Sequence, residues 1–308
     1  MRLLTRGSAL ALLQAERMAL PLREKGLDVE IVPLSTRGDR DTVSPLCSFG
    51  GSGAFSGCIE EALLGGKGDG AVHSLKDVPS CCRDGLEIAS VLPRDSAGDV
   101  LVSRGGHTLE TLPEGAVVGT SSPRRKAQLL RVRPGLSVRE IRGNLSTRLN
   151  KMEDGLYDAL VLAAAGLERM GIRPPGGAES LPFLPAPCQG IIALEAPLDS
   201  SLFSLGRSIA HRETFLCSLA ERSLLKTLGV GCHVPFAALA RMESRILVLE
   251  AEILDPLGRE SVRLSCRGPV ASEKEAVRAG AALGDRFRET PEAVRLLAES
   301  LAGAEGRP

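Results

Sequence analysis

The sequence predicts an α/β protein that ends in a small α+β unit, and three observations carry that prediction. Strand and helix signals alternate from the N-terminus to about residue 195, as they do where helices cover a mostly parallel sheet. Two segments break the alternation, Pro93-Arg94-Asp95-Ser96-Ala97-Gly98 and Leu181–Pro187 with its three prolines, and both read as crossings between units. From about His211 the texture changes to one long helix, two strands and two further helices.

In order, Ser8 can cap a helix that runs through Ala9–Gln14 and ends near Gly26, and Val29–Leu34 reads as a strand. Ser44–Gly57 is rich in Gly and Ser and reads as a mobile loop; Cys58–Leu64 restores a short helix. Ala71–Ser74 is a buried strand that ends at Lys76-Asp77, and Leu86–Leu92 is another. Beyond the first crossing come strand Ala116–Gly119, helix Ser122–Arg131, strand Ser137–Ile141, helix Leu145–Met152, strand Asp158–Ala163 and helix Gly166–Met170. Pro123 suits a first helical turn, where its missing N–H costs nothing. Ile191–Glu195 supplies a strand that can return to the first unit. The last part reads as helix Arg212–Leu228 stopped by Gly229, strands Ile246–Leu254 and Ser261–Arg267, and helices Glu273–Phe287 and Pro291–Leu301.

With 308 residues, 43% apolar and 25% charged, the chain can bury two or three cores. No stretch approaches the ~18 uninterrupted apolar residues of a membrane span, and the N-terminus lacks the pattern of a signal peptide, so a cytoplasmic protein with no membrane partner is expected. Zero net charge and seven Phe, one Tyr and no Trp argue against nucleic acid as partner. The eight Cys form no Cys-x-x-Cys pair and read as reduced thiols rather than a disulfide framework, and no metal site is expected.

Charge is gathered in one place. Eight basic side chains fall within the 25 residues Arg124–Arg148, against one acid, Glu140. The runs Thr120–Arg125 and Ile141–Arg148 both open helices, so hydroxyls, backbone N–H groups and guanidinium forks converge where carboxylate or phosphate is well held. A solvated basic face is the bland alternative for one such helix; two in succession favour an anion site. No Gly-x-x-x-x-Gly-Lys-Ser/Thr loop is present to receive phosphate. Asp77, at the end of a buried strand, is either an exposed turn residue or a carboxylate placed at the sheet edge where α/β folds bind ligands. Cys232, in Gly229-Val230-Gly231-Cys232-His233-Val234-Pro235, is a structural thiol, a nucleophile or an attachment point.

Taken together the segments resemble the porphobilinogen deaminase (hydroxymethylbilane synthase) family. The resemblance runs through Thr5–Gln14, Ala71–Pro79, Gly119–Arg125, Ile141–Asn144 and Gly231–Pro235, in order along nearly the whole chain. It implies an α/β fold of two periplasmic-binding-protein-like α/β domains plus a small C-terminal α+β domain. The corresponding boundaries are 1–93 with 190–209, 98–186, and 211–308. It also implies a transferase that condenses four porphobilinogens head to tail, releases ammonia each time, and finally releases hydroxymethylbilane by hydrolysis. The cofactor implied is a dipyrromethane joined by a thioether to Cys232, and the chain is expected to act as a monomer.

Residue by residue, the resemblance gives Asp77 the central catalytic role, facing pyrrole N–H groups and stabilising the cationic azafulvene left by ammonia. It assigns Lys76, Ser121, Arg124, Arg125 and Arg148 to the cofactor, and Arg6, Ser8, Arg142, Arg169, Phe55 and Gln189 to substrate. Arg forks suit carboxylates, and each added ring brings an acetate and a propionate. The chain departs from the family in Pro45–Gly57, a lid segment with no Lys, where Ser48, Ser52 and Gly57 stand at positions often lysine. Cys188 stands where Gly is usual. A two-lobed polycarboxylate-binding homologue with weakened catalysis is the alternative reading.

Overall fold

The computed structural model describes residues 1–35 and 56–305. The lid segment 45–57, Phe55 included, lies outside the described residues except for Ser56 and Gly57. The chain begins with β1 (Arg2–Arg6), α1 (Ala9–Glu24), β2 (Glu30–Leu34), α2 (Gly57–Leu64), β3 (Gly70–Ser74) and β4 (Leu86–Val91). A second run follows: β5 (Asp99–Ser103), β6 (Val117–Gly119), α3 (Pro123–Val132), β7 (Ser137–Arg139), α4 (Leu145–Glu153), β8 (Ala159–Ala163), α5 (Ala164–Met170) and β9 (Glu179–Ser180). The chain then returns through β10 (Ile192–Pro197) and α6 (Ser201–Ile209). It closes with α7 (Arg212–Leu228), β11 (Phe236–Glu243), β12 (Ile246–Leu254), β13 (Ser261–Pro269), α8 (Glu273–Glu289) and α9 (Pro291–Glu305).

Among the described residues these strands form three sheets, ordered β2-β1-β3-β10-β4, β7-β6-β8-β5-β9 and β11-β12-β13. The first two share one plan. Three strands run parallel, the fourth is antiparallel, and the fifth pairs antiparallel to the fourth. Four of the five strands in each sheet therefore run the same way, mostly parallel as expected, and one is reversed. The antiparallel strand in each is the one that follows a crossing, and no local pattern marks direction. β10 belongs to the first sheet although 88 residues of intervening sequence, 99–186, build the second; its register sets Glu195 against Ala71 and Ala193 against His73.

Both faces of each large sheet are covered. Leu3, Ala15, Met18, Val72 and Leu194 pack under α1 and α6, and Leu4, Ile59, Ala71 and Leu86 pack under α2. In the second sheet Leu101, Val118, Leu129 and Val161 form one core, and Val102, Ile141, Met152 and Leu160 the other. Each fully buried aliphatic side chain contributes about 1.5–3 kcal/mol. The C-terminal sheet has one apolar face, with Leu247, Leu249, Ala251 and Ile253 against α7, α8 and α9. Its other face carries a charge ladder in which Arg241 and Arg263 share Glu250. The sequence reading missed β1, β5, β9, β11 and α6. Several of these are short, and β5 is buried along its full length, so it lacks the two-residue alternation of exposure that marks a strand.

Candidate active site

The parallel strands of both lobes end at one cleft of about 830 Å³. This is the carboxyl edge of each sheet, where chain leaving a strand is free to reach a ligand. Arg6 is the last residue of β1, and Ser8 caps α1, its hydroxyl accepting from Ala11 N at 3.3 Å. Lys76 and Asp77 lie in a 3₁₀ turn straight after β3. Arg125 sits in the first turn of α3, which Ser122 caps and Pro123 opens. Arg142 and Arg148 flank the start of α4, capped by Asn144, whose side chain accepts from Thr147 N at 3.0 Å. Arg169 is in the last turn of α5.

These residues, predicted from distant parts of the sequence, all line the cleft. Asp77 is the one acid among its described lining residues, against Arg6, Lys76, Arg125, Arg142, Arg148 and Arg169. Burial and the crowding of like charge weigh against protonation of two of these cations. Burial, and then the neighbouring Arg125, push Lys76 down to about 8; its ammonium donates to Gln189 Oε1 at 3.2 Å. Burial, followed by Arg125 and Arg142, pushes Arg148 down to about 10. Arg148 is aimed by a hydrogen bond from Nε to Gly143 O at 2.8 Å. Gly143 has φ +109°, and a Cβ there would stand 2.7 Å from the Thr147 side chain, so this turn needs glycine.

Among the described residues, four predicted site residues do not line the cleft: Ser121, Arg124, Gln189 and Cys232. Arg124 turns its Nη1 to Asp99 Oδ2 (2.7 Å), Gln128 Oε1 (3.0 Å) and Leu184 O (2.9 Å). Ser121 donates to Ile141 O at 2.7 Å and accepts from Ile141 N at 3.1 Å, tying two cleft loops together. Gln189 bonds Ala97 O and Asp99 Oδ1 through its amide nitrogen, and meets the cleft only through Lys76. Arg125 lines the cleft with all three nitrogens engaged: Nε and Nη2 donate to Asp99 Oδ1 at 3.1 and 2.7 Å, and Nη1 donates to Val161 O at 3.1 Å.

Asp99 is the organising residue that sequence reasoning missed. Burial alone would raise its pKa, but the charges of Arg125 and Arg124 and their hydrogen bonds overcome this and hold it far below the usual carboxylate range. Its signal was indirect: a basic cluster with a single local acid needs its counter-charge from elsewhere in the chain. Also missed was the buried pair of His73, which lines the cleft, and Glu195 (Nε2 to Oε2, 3.1 Å).

Cys232 lies between α7 and β11 and is exposed. The surrounding protein still raises its thiol pKa, the Asp77 carboxylate adding to the rise and Lys76 opposing it. The thiol is thus within electrostatic reach of the cleft acid. Cys188 is buried with φ +62°, the left-handed region that favours glycine. Its N–H donates to Glu221, which also pairs with Arg94 at 2.6 Å.

Family models match in the same order. Residues 1–203 match the porphobilinogen deaminase dipyromethane cofactor binding domain, and 215–289 match the porphobilinogen deaminase C-terminal domain. The porphobilinogen deaminase of Desulforudis audaxviator is 44% identical over 97% of this chain and 97% of its own. The probable porphobilinogen deaminase of Methanosarcina acetivorans is 41% identical over 92% of this chain and 90% of its own, and that of Archaeoglobus fulgidus 46% over 82% and 86%. Among solved structures, a periplasmic substrate-binding protein of an ABC transporter from Coxiella burnetii aligns at 14% identity with a TM-score of 0.43, over 68% of this chain and 90% of that one. With two family models covering both the lobes and the C-terminal unit, and relatives above 40% identity along nearly its whole length, the chain belongs to the porphobilinogen deaminase family.

Proposed function

We propose that this chain is a transferase of the hydroxymethylbilane synthase type, which condenses porphobilinogen head to tail with release of ammonia. The observation that carries the reading is one carboxylate, Asp77, set among six cations in a single cleft. The donor set fits a dipyrromethane attached through Cys232. Each ring of that group carries an acetate and a propionate, and Lys76, Arg125 and Arg148 offer charge on the wall nearest Asp77. Arg124 and Ser121 support that wall from behind. When bound, the group supplies the free pyrrole carbon at which the chain is extended.

Arg6, Arg142 and Arg169 are assigned to the carboxylates of porphobilinogen, with the capped start of α1 at Ser8 adding its dipole. Gln189 holds Lys76, and Phe55 is assigned to the lid over the substrate. Asp77 accepts a pyrrole N–H, and its charge stabilises the cation formed as the aminomethyl C–N bond breaks and ammonia leaves. The same carboxylate can carry the proton that condensation sets free. In this reading 1–93 with 190–209 brings Asp77 and the lid, 98–186 brings the Arg wall, and 211–308 brings Cys232. In the same reading the protein acts as a monomer in the cytoplasm. No described helix is long and apolar enough to cross a membrane.

The test pairs intact mass with ammonia release. Purified wild-type protein should carry a two-pyrrole increment mapped to Cys232, and Cys232→Ser should carry none. Asp77→Asn, loaded with hydroxymethylbilane, should keep fold and adduct but lose on the order of 10²–10⁴-fold in ammonia release. Binding of a polycarboxylate without ammonia release by wild type would establish the binding-protein reading instead.

A further inference from the structure

The two crossings meet at Asp95. Its carboxylate receives both terminal nitrogens of Arg17 on α1, at 2.9 Å each, and Nε of Arg169 on α5 at 2.7 Å. Its backbone N–H donates to Gly190 O at 3.0 Å, and the same carbonyl accepts Arg169 Nη2 at 2.8 Å. Gly190 has φ +84°, and a Cβ there would stand 2.6 Å from Asp95 O, so the crossings touch backbone to backbone. One ion cluster thus joins both crossings, a helix of the first lobe and a helix of the second. The Arg169 side chain is 5% exposed yet lines the cleft, whereas Asp95 does not line it.

We propose that Asp95 is a positioning residue for substrate capture, holding the Arg169 guanidinium so that it meets a porphobilinogen carboxylate already oriented. Asp95 grips Nε and Gly190 O grips Nη2, which fixes the plane of the fork in a residue that lines the cleft. An arginine ordered in the free protein loses less freedom when the ligand arrives. Arg17 occupies both carboxylate oxygens from the other side and keeps Asp95 from swinging toward the cleft cations. Ser96 on the next residue bonds Glu168 beside Arg169, adding a second tether between crossing and helix. The inference rests on the deaminase reading.

The measurement is steady-state kinetics of ammonia release in a double-mutant cycle, with thermal melting to monitor the fold. Asp95→Asn should lower kcat/KM for porphobilinogen about tenfold, the weight of one charge-assisted hydrogen bond, mostly through KM. In an Arg169→Met background the same change should cost less than about twofold, because the group it positions is gone. Equal losses in both backgrounds, or none in either, would reduce Asp95 to a tie between lobes and overturn the inference. If Asp95→Asn melts early, Asp95→Glu keeps the charge but displaces it; KM should rise with kcat kept, and an unchanged KM overturns the inference as well. Absence of ammonia release from wild type would remove the deaminase reading itself, a distinct result.

Discussion

Lys76 shows how much of the site is decided by the surroundings of a single side chain. Burial and Arg125 bring its pKa down to about 8, so its charge is present below that pH and lost above it. The dipyrromethane carboxylates assigned to it favour the charged form, so loading of the cofactor-free protein with hydroxymethylbilane should weaken above pH ~8, levelling at about a tenfold loss. Lys76→Arg keeps the charge at all these values and should flatten that limb; an unchanged limb would assign it to another group. Cys188 is a residue-scale oddity of another kind. A left-handed cysteine costs about 1–2 kcal/mol that glycine would not. Its side chain recovers part of this by packing with Leu75, Val91 and Ile191.

At the scale of elements, the cleft is a meeting of helix starts. α1, α3 and α4 each begin with a side-chain cap directly after a parallel strand, so their N–H groups and dipoles face the ligand space. α3 is aimed by Asp99 at the start of β5, which binds two of its arginines. Asp99→Ala would leave both guanidinium groups buried without a counter-charge and should destabilise by about 3–5 kcal/mol, read by urea unfolding. The sign in pH follows from the depressed folded pKa. The contribution is complete above the unfolded value of about 4 and declines as pH falls below it, so the penalty of the substitution should shrink below pH ~4. A penalty that stayed constant to pH 2 would mean the carboxylate is not the stabilising species.

For the whole molecule the question is what holds the C-terminal unit, which carries Cys232, against the two lobes. The C-terminal unit touches both lobes. Phe215 of α7 packs with Leu75 and Val78 beneath Asp77, and Glu221 takes Arg94 of the first crossing. On the other side the turn between β12 and β13 lies on α3, where Arg131 reaches Glu252 at 2.6 Å and Ser261 at 2.8 Å. Gly258 in that turn has φ +71°, and a Cβ would stand 2.0 Å from Ala127 O. Gly258→Val should therefore lift the turn from α3, costing about 1–3 kcal/mol in strain, and reduce the fraction of chains carrying an adduct on Cys232. Thermal melting and intact mass check it together; wild-type stability with full loading would show that the docking does not matter.

The sequence by itself determined the alternation of elements, the crossings, the helix caps and most of the charged residues that line the cleft: Asp77, Lys76 and the cleft arginines sit in local motifs that persist wherever the chain is placed. It did not reveal the reversed strand of each large sheet, the buried strand β5, or which arginines face ligand and which face Asp99. Those depend on partners far apart in sequence, Arg125 with Asp99 across 26 positions and Arg94 with Glu221 across 127. Tertiary structure decided them because a buried charge must find its counter-charge wherever folding brings one within reach.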